Sequence, residues 1–203
     1  MRVYFVGAHT VGKTTLSRYV SLRYNMKMVT EVARSVLAER ETNLKDLRSD
    51  IDRVNDFQKE VLARQISAER SLMDEFVSDR SFDNLAYAAE HTTILHEVVK
   101  SKEFLDYVEW VRQGLVFFVR PHKDLIAADG IREVGTWEDI IRIDGMVKLL
   151  LEFTGIEYFP LESSLMQERV RAIDYLLRDH TKRSVIVPSR RREPEISQRD
   201  GDE

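Results

Sequence analysis

A glycine-bounded loop near the start of the chain limits the possible folds more than any other feature of the sequence. The segment from Gly7 to Thr14 reads GAHTVGKT, follows the apolar run 2–6 and opens a helical segment at Thr15. A strand, a loop of this form and a helix together make up the Walker A phosphate loop. Its glycines let the backbone wrap a phosphate chain at the positive end of the following helix. The sequence therefore predicts nucleotide binding.

The residue types in this loop indicate how it would hold a nucleotide. Lys13 reaches the β and γ phosphates, and the hydroxyl of Thr14 is placed to ligate Mg²⁺. The main-chain amides between the two glycines point inward at the phosphates. We expect the nucleotide to be bound by Gly7, Ala8, His9, Thr10, Val11, Gly12, Lys13, Thr14 and Thr15.

The composition is that of an ordinary globular domain. A chain of 203 residues with 43% apolar side chains can bury one substantial core, which we assign to residues 1–182. The charged, proline-containing remainder, 183–203, is expected to be a disordered tail. The absence of cysteine excludes a disulfide scaffold, and a net charge of -4 gives no general attraction to nucleic acid. With no leader or membrane-spanning run, we expect a cytoplasmic protein without membrane contact.

Short apolar runs alternate with long amphipathic segments along the chain. This alternation predicts an α/β fold with three layers, in which helices flank a five-stranded parallel sheet. The strongest helical periodicity runs from Asp50 to Met73. The strands are expected at 2–6, 27–30, 75–78, 115–119 and 157–160.

The second half of the site separates the classes of P-loop protein. The Asp-x-x-Gly and Asn-Lys-x-Asp elements of Ras-type GTPases do not occur, and the most apolar strand ends in Arg120 rather than in the acid of a motor ATPase. Instead, Asp79 and Arg80 end a strand and are followed by a helix. Asp79 could hold a metal-bound water or orient an acceptor, and Arg80 could grip a phosphate bidentately. A helix N-cap with a solvated arginine is the structural alternative.

Over about residues 2–178, these elements resemble the nucleoside and nucleotide kinase branch of P-loop proteins. Asp79-Arg80 and Ala86-Tyr87 are similar to the pairs of thymidylate kinases, and Phe57-Gln58 is similar to the base-recognising pair of deoxynucleoside kinases. The chain also resembles a family of small NadR-like P-loop ATPases often found in phages. The resemblance implies a nucleotide-kinase type of fold with a lid, ATP and Mg²⁺ as cofactors, and Tyr87 among the substrate-binding residues.

The same resemblance places acceptor-side residues just after the second strand. Glu31 is a candidate general base, or else a first-turn glutamate that stabilises a helix dipole. Arg34 could bind an acceptor phosphate or merely pair with Glu31. Phe57 and Gln58 could recognise a base, but Phe57 also continues the apolar stripe of its helix, where a core phenylalanine is the commoner use.

The polar connector 120–136 is expected to close as a lid over the phosphates. A lid brings arginines to the phosphoryl group and excludes water that would hydrolyse ATP. Arg132 is the catalytic candidate, with Arg120 and Arg142 as further candidates, and a plain surface loop is the alternative.

We therefore expect an ATP- and Mg²⁺-dependent kinase in which Lys13, Asp79, Glu31, Arg80 and Arg132 are catalytic. The acceptor would be a (deoxy)nucleoside monophosphate or a nucleoside, bound by Glu31, Arg34, Phe57, Gln58, Arg80 and Tyr87, with Thr14 and Asp79 at the metal. Two alternatives stay open: a kinase acting on a hydroxymethylated base in phage DNA, and a nucleotide-dependent regulatory ATPase. A homodimer is possible, because relatives often dimerise through helices.

Overall fold

The computed structural model of the chain describes residues 1–30, 32–40, 47, 50–73, 75–86, 92–126 and 136–186. Five strands lie within these ranges, and each matches one expected from the sequence to within two residues at either end. The strands are β1 (Arg2–Val6), β2 (Lys27–Val29), β3 (Phe76–Ser78), β4 (Leu115–Val119) and β5 (Phe159–Leu161).

Eight helices connect and follow these strands in the described part of the chain. Five of them have eleven or more residues, and the other three are shorter. In chain order, the helices are α1 (Lys13–Tyr24), α2 (Val32–Glu39), α3 (Ile51–Ser71), α4 (Leu95–Val98), α5 (Lys102–Arg112), α6 (Lys123–Ile126), α7 (Trp137–Thr154) and α8 (Met166–Ile186).

The strands form one sheet in the order β2-β3-β1-β4-β5, and every pairing between neighbours is parallel. This confirms the predicted five-stranded parallel sheet. In the register of the central pair, Tyr4 lies opposite Ser78. The loop after β1 and the residues after β3 therefore leave the same edge of the sheet side by side, which is where open α/β sheets bind ligands.

The central strand β1 and its neighbour β4 are buried along their whole length. Every residue of β1 and β4 is buried, so helices cover both faces of the sheet, as the three-layer prediction requires. Rings pack across the two strands: Phe5 stacks on Phe117 with centroids 5.1 Å apart. This packing fixes the strand from which the phosphate loop emerges.

Helix α3 corresponds to the segment for which the sequence shows the strongest helical periodicity. It was expected over Asp50–Met73 and is observed over Ile51–Ser71, because the carboxylate of Asp50 caps it by accepting bonds from the amides of Asp52 and Arg53. Part of its apolar face packs on α2 in a second hydrophobic cluster, formed by Val36, Leu47, Val54, Phe57 and Val61.

The last helix continues past the boundary that the sequence suggested for the domain. Helix α8 ends at Ile186, three residues beyond Arg183. The assignment of a disordered tail otherwise falls on residues 187–203, which lie outside the described residues, and it stays a prediction. Among the helices that the structure describes, none is long and apolar enough to cross a membrane.

A buried carboxyl group links the sheet to α3 and α5. Glu69 is fully buried and accepts hydrogen bonds from Tyr4 Oη (3.0 Å), Tyr107 Oη (2.7 Å) and Gln65 Nε2 (2.7 Å). Burial raises the pKa of Glu69 to about 7, although these three donors oppose the rise. Gln65 also donates to Ser78 Oγ at 2.9 Å, so the network reaches the end of β3.

Replacing Glu69 by glutamine should change how stability depends on pH. The pKa in the folded state, about 7, lies above the ordinary value of 4.5, so the native protein holds a proton that the unfolded chain has released. Glu69 should therefore make the wild type lose stability as pH rises from about 4.5 to about 7, and Glu69→Gln should lack this contribution. In urea unfolding, the variant should gain up to about 3 kcal/mol relative to the wild type between pH 5 and pH 8.

The exposed Glu157→Gln serves as the matched control for this measurement. It should leave the pH dependence of the wild type unchanged. A Glu69→Gln variant whose stability follows the wild type in parallel from pH 5 to pH 8 would contradict the assignment.

Candidate functional site

The phosphate loop takes its shape from its two glycines. Gly7 has φ +146° and Gly12 has φ +97°, both in the region that favours glycine. A Cβ on Gly7 would lie 2.5 Å from the carbonyl oxygen of Val119 on β4, so the loop can leave β1 only with glycine there. Gly12 occupies the N-cap position of α1, and the helix therefore begins directly at Lys13.

Thr10 holds the most strained backbone of the loop. Its φ of +62° is rare for a β-branched residue, and a conformation of this kind costs on the order of 1–3 kcal/mol. The side chain of Thr10 donates to the carbonyl of His9 at 2.7 Å. The motif alone did not indicate this strain, which is of the sort that clusters in ligand-binding loops.

Lys13 lies across the loop rather than in solvent. Its side chain is buried, and Nζ donates to the carbonyl oxygens of Gly7 (2.7 Å) and Ala8 (2.5 Å). The ammonium group is thus held inside the curve of the loop, where the sequence expected a phosphate-binding cation.

Asp79 meets the loop from the neighbouring strand. One carboxylate oxygen, Oδ2, accepts from Thr14 Oγ1 at 2.8 Å and from Thr30 Oγ1 at 3.0 Å. The residue is 4% exposed, and its other oxygen, Oδ1, has no hydrogen-bond partner among the described residues. The carboxylate therefore faces α1 and the end of β2 instead of capping a helix, which was the alternative. Thr30 was not singled out from the sequence.

The side chains of Lys13, Thr14 and Asp79 line a common polar cavity of about 120 Å³. Arg80, half-buried, contributes to its wall beside Asp79, so the strand-end pair expected from the sequence does border the loop. The residues lining the cavity are His9, Thr10, Gly12, Lys13, Thr14, Thr15, Asp79 and Arg80.

A second buried carboxylate, that of Asp83, joins the phosphate loop to the turn after β3. Asp83 is 1% exposed, and its two oxygens accept from the amides of Ser81 (2.8 Å) and Gly7 (3.4 Å). Sequence analysis missed this role, because nothing in the local pattern relates Asp83 to an amide 76 positions earlier.

The proposed base-recognising pair is divided between two environments. Phe57 is 3% exposed and packs in the cluster between α2 and α3, which is the core role that the sequence allowed. Base stacking by its ring stays a prediction. Gln58 faces the turn after β3, where its Oε1 accepts from Asn84 Nδ2 at 3.4 Å. Two buried atoms in that turn, Ser81 Oγ and Asn84 Oδ1, have no hydrogen-bond partner among the described residues.

The remaining candidates lie apart from the cavity or outside the described residues. Arg34 is exposed on α2. Arg120 follows β4 and pairs with Asp144 of α7 at 2.9 Å, and burial raises the pKa of Asp144 to about 6 against the opposing effect of Arg120. Arg142 pairs with Asp139 on its own helix.

Glu31, Tyr87 and Arg132 lie outside the described residues, as does most of the expected lid.

Comparison with protein families identifies the class of the chain. A family model described as an AAA domain matches residues 2–169, which is most of the sequence. The chain belongs to this AAA domain family. No curated protein sequence matches it significantly.

Several solved structures share the fold of this chain, although their sequence identity to it is low. Deoxyadenosine kinase from M. mycoides, bound to dCMP and dCDP, is 14% identical with a TM-score of 0.60, covering 89% of this chain and 100% of that one. NadR in complex with NR is 17% identical with a TM-score of 0.64, covering 95% of this chain. This chain spans about half of NadR, 53% of its length.

A third structure is a small-molecule kinase. Shikimate kinase from Acinetobacter baumannii, in complex with shikimate, is 12% identical with a TM-score of 0.53, covering 89% of this chain and 93% of that one. These likenesses confirm the predicted P-loop kinase type of fold. At such low sequence identities, the similarity shows the fold alone.

Replacing Gly7 by alanine should unfold or distort the loop. The added Cβ would meet a backbone oxygen at 2.5 Å, and φ is positive, so we expect a loss of about 2 kcal/mol or more in thermal unfolding. Gly145 is the matched control: it lies in α7 with open space around it, and Gly145→Ala should stabilise the protein by about 0.5–1 kcal/mol. Equal stability of the two variants would contradict the steric argument.

Proposed function

We propose that this chain transfers the γ-phosphoryl group of ATP to a hydroxyl of a nucleotide-type acceptor. The observation that carries the proposal is the 2.8 Å hydrogen bond between Thr14 Oγ1 and Asp79 Oδ2. It joins the phosphate loop to an acid on the adjacent strand, and Arg80 stands beside that acid in the same cavity. A donor loop, an acid and a cation in one cavity are the parts that phosphoryl transfer needs.

The donor phosphates would lie in the curve of the loop. Main-chain amides at the amino end of α1 and the ammonium of Lys13 would stabilise their charge. In the reaction, the acceptor oxygen forms a bond to the γ phosphorus, the bond from that phosphorus to the β–γ bridging oxygen breaks, and ADP leaves. The acceptor proton would pass to a base, for which Glu31 is the candidate.

The residues present fit a Mg²⁺ ion. Mg²⁺ prefers oxygen ligands and is usually held by one or two protein groups together with phosphate oxygens and water. The hydroxyl of Thr14 and the carboxylate of Asp79 offer such ligands, and the buried Oδ1 of Asp79 has no other partner among the described residues. When bound, the ion would neutralise charge that develops on the phosphate oxygens.

Two buried polar atoms in the turn after β3 support a polar acceptor. Ser81 Oγ and Asn84 Oδ1 are buried without partners in the described structure, and such atoms are normally satisfied by a ligand or by water. An acceptor with several hydroxyl or amide groups would meet this need, and Arg80 could bind its phosphate bidentately. We therefore propose a nucleoside or nucleoside monophosphate, with Arg34, Phe57, Gln58 and Tyr87 as further acceptor-side candidates and Arg132 as the lid cation.

Other acceptors remain as outcomes of the test. A hydroxymethylated base in DNA would require a basic acceptor cleft, and its binding would weaken steeply with salt. Membership of the AAA domain family favours a second function, a regulatory ATPase that hydrolyses ATP without an acceptor.

The decisive assay measures ADP formation with and without a panel of acceptors. The panel should contain deoxynucleosides, deoxynucleoside monophosphates, nicotinamide riboside, shikimate and hydroxymethylated DNA, the third and fourth chosen from the bound ligands of the similar structures. Stimulation by a free nucleoside or nucleotide would support the proposal, and transfer to polymer alone would replace it with the DNA alternative. Turnover indifferent to every acceptor would instead support the ATPase.

Variants at the loop and at the acid should separate binding from transfer. Lys13→Ala should reduce transfer by at least about 10²-fold, because the principal cation at the phosphates is lost. Asp79→Asn should slow transfer by a similar factor while ADP binding without metal largely survives, because the loop amides are unchanged. Single-turnover transfer and equilibrium binding of ADP measure the two effects.

The exposed ion pair on α5 supplies matched controls of the same residue types. Lys102 and Asp106 bond at 2.6 Å on the helix surface, so Lys102→Ala and Asp106→Asn should keep wild-type rates. An Asp79→Asn variant with the full rate of transfer would remove Asp79 from the site.

A further inference from the structure

A buried arginine of α8 contacts three main-chain carbonyl groups around the phosphate loop. Arg169 is 1% exposed. Its guanidinium donates from Nη1 to Val11 O at 2.9 Å, from Nη2 to Arg120 O at 2.8 Å and from Nε to Ser163 O at 2.6 Å. The sequence analysis did not single out this residue.

These three carbonyls belong to separate segments that meet at one edge of the sheet. Val11 lies in the phosphate loop one residue before Gly12, Arg120 follows β4, and Ser163 lies between β5 and α8. A planar guanidinium donates from three separate nitrogens in fixed directions, so it can reach three carbonyls that lie apart, whereas the three donors of an ammonium group radiate from a single nitrogen. Arg169 therefore sets the position of the Val11 carbonyl relative to two strand ends.

Burial of the charged side chain of Arg169 is unfavourable in free energy. Burial lowers the pKa of the guanidinium, and none of its three acceptors is a carboxylate. The residue also lies in the first turns of α8, at the positive end of that helix dipole. A buried cation is usually paired, and an anion bound in the adjacent loop would offset part of this cost.

We propose that Arg169 is a positioning residue for the nucleotide site. It holds the carboxyl half of the phosphate loop in the shape that receives a polyphosphate, and its charge favours that anion through the loop backbone. The proposal rests on the proposed function only in requiring that the loop bind a nucleotide. It does not depend on which acceptor the protein uses, or on transfer at all.

The test uses the full chain and measures equilibrium binding of ADP by calorimetry, together with urea unfolding. Arg169→Met removes the charge and all three hydrogen bonds and keeps an unbranched side chain that fills the space of the aliphatic stem. Arg169→Lys keeps the charge but cannot span the three carbonyls. The control is Asp174→Ala, which loosens the same helix elsewhere, because Asp174 accepts from Tyr19 Oη (3.0 Å) and Tyr24 Oη (2.8 Å) of α1.

We expect Arg169→Met to weaken ADP binding at least about tenfold, Arg169→Lys to fall between it and the wild type, and Asp174→Ala to bind ADP within about twofold of the wild type. This order should hold even where Asp174→Ala loses as much unfolding free energy as Arg169→Met.

The proposal is overturned if Arg169→Met binds ADP like the wild type, or if it and Asp174→Ala weaken binding equally. The latter result would mean that Arg169 acts only through the stability of α8. Arg169→Lys with wild-type affinity would overturn the geometric role, and this variant also decides the question if Arg169→Met does not fold. Normal ADP binding without transfer to any acceptor would contradict the proposed kinase function and leave this inference standing.

Discussion

The hydrogen bond between Thr14 and Asp79 is the contact on which the site depends. It requires that β3, which Asp79 follows, lie directly beside the strand that leads into the phosphate loop, and the order β2-β3-β1-β4-β5 provides this. The first residue of the loop must also be glycine, because any Cβ at Gly7 would meet the Val119 carbonyl. Sheet topology and one glycine thus bring a hydroxyl and a carboxylate together from positions 65 residues apart.

Buried groups of opposite charge hold the phosphate loop at its two ends. The carboxylate of Asp83 accepts from the Gly7 amide, and the guanidinium of Arg169 donates to the Val11 carbonyl. Between these two contacts, the ammonium group of Lys13 donates to the carbonyls of Gly7 and Ala8. Polar side chains from three parts of the chain therefore fix a backbone that would otherwise be a flexible glycine-bounded turn, and a preorganised loop loses less entropy when it binds phosphate.

Local sequence carried enough information to predict the sheet, the loop and the strand-end acid. Apolar runs give strands, and the spacing from Gly7 to Thr14 encodes one loop shape, so neither depends on distant contacts. The roles of Asp83 and Arg169 could not be predicted, because each acts on backbone groups 76 or 158 positions away and neither lies in a local pattern. Phe57 shows a different limit: its periodicity was compatible with the core and with base recognition, and only packing places it in the α2–α3 cluster.

The most direct test of this account is whether Mg²⁺ and ADP bind together through the loop and the acid. Calorimetric titration of ADP should show tighter binding with Mg²⁺ than without it in the wild type. This enhancement should be lost in Thr14→Val, which removes the hydroxyl that Asp79 accepts from. ADP affinity that is independent of Mg²⁺ in the wild type, or an enhancement that persists in Thr14→Val, would contradict the assignment of these two residues to a nucleotide–metal site.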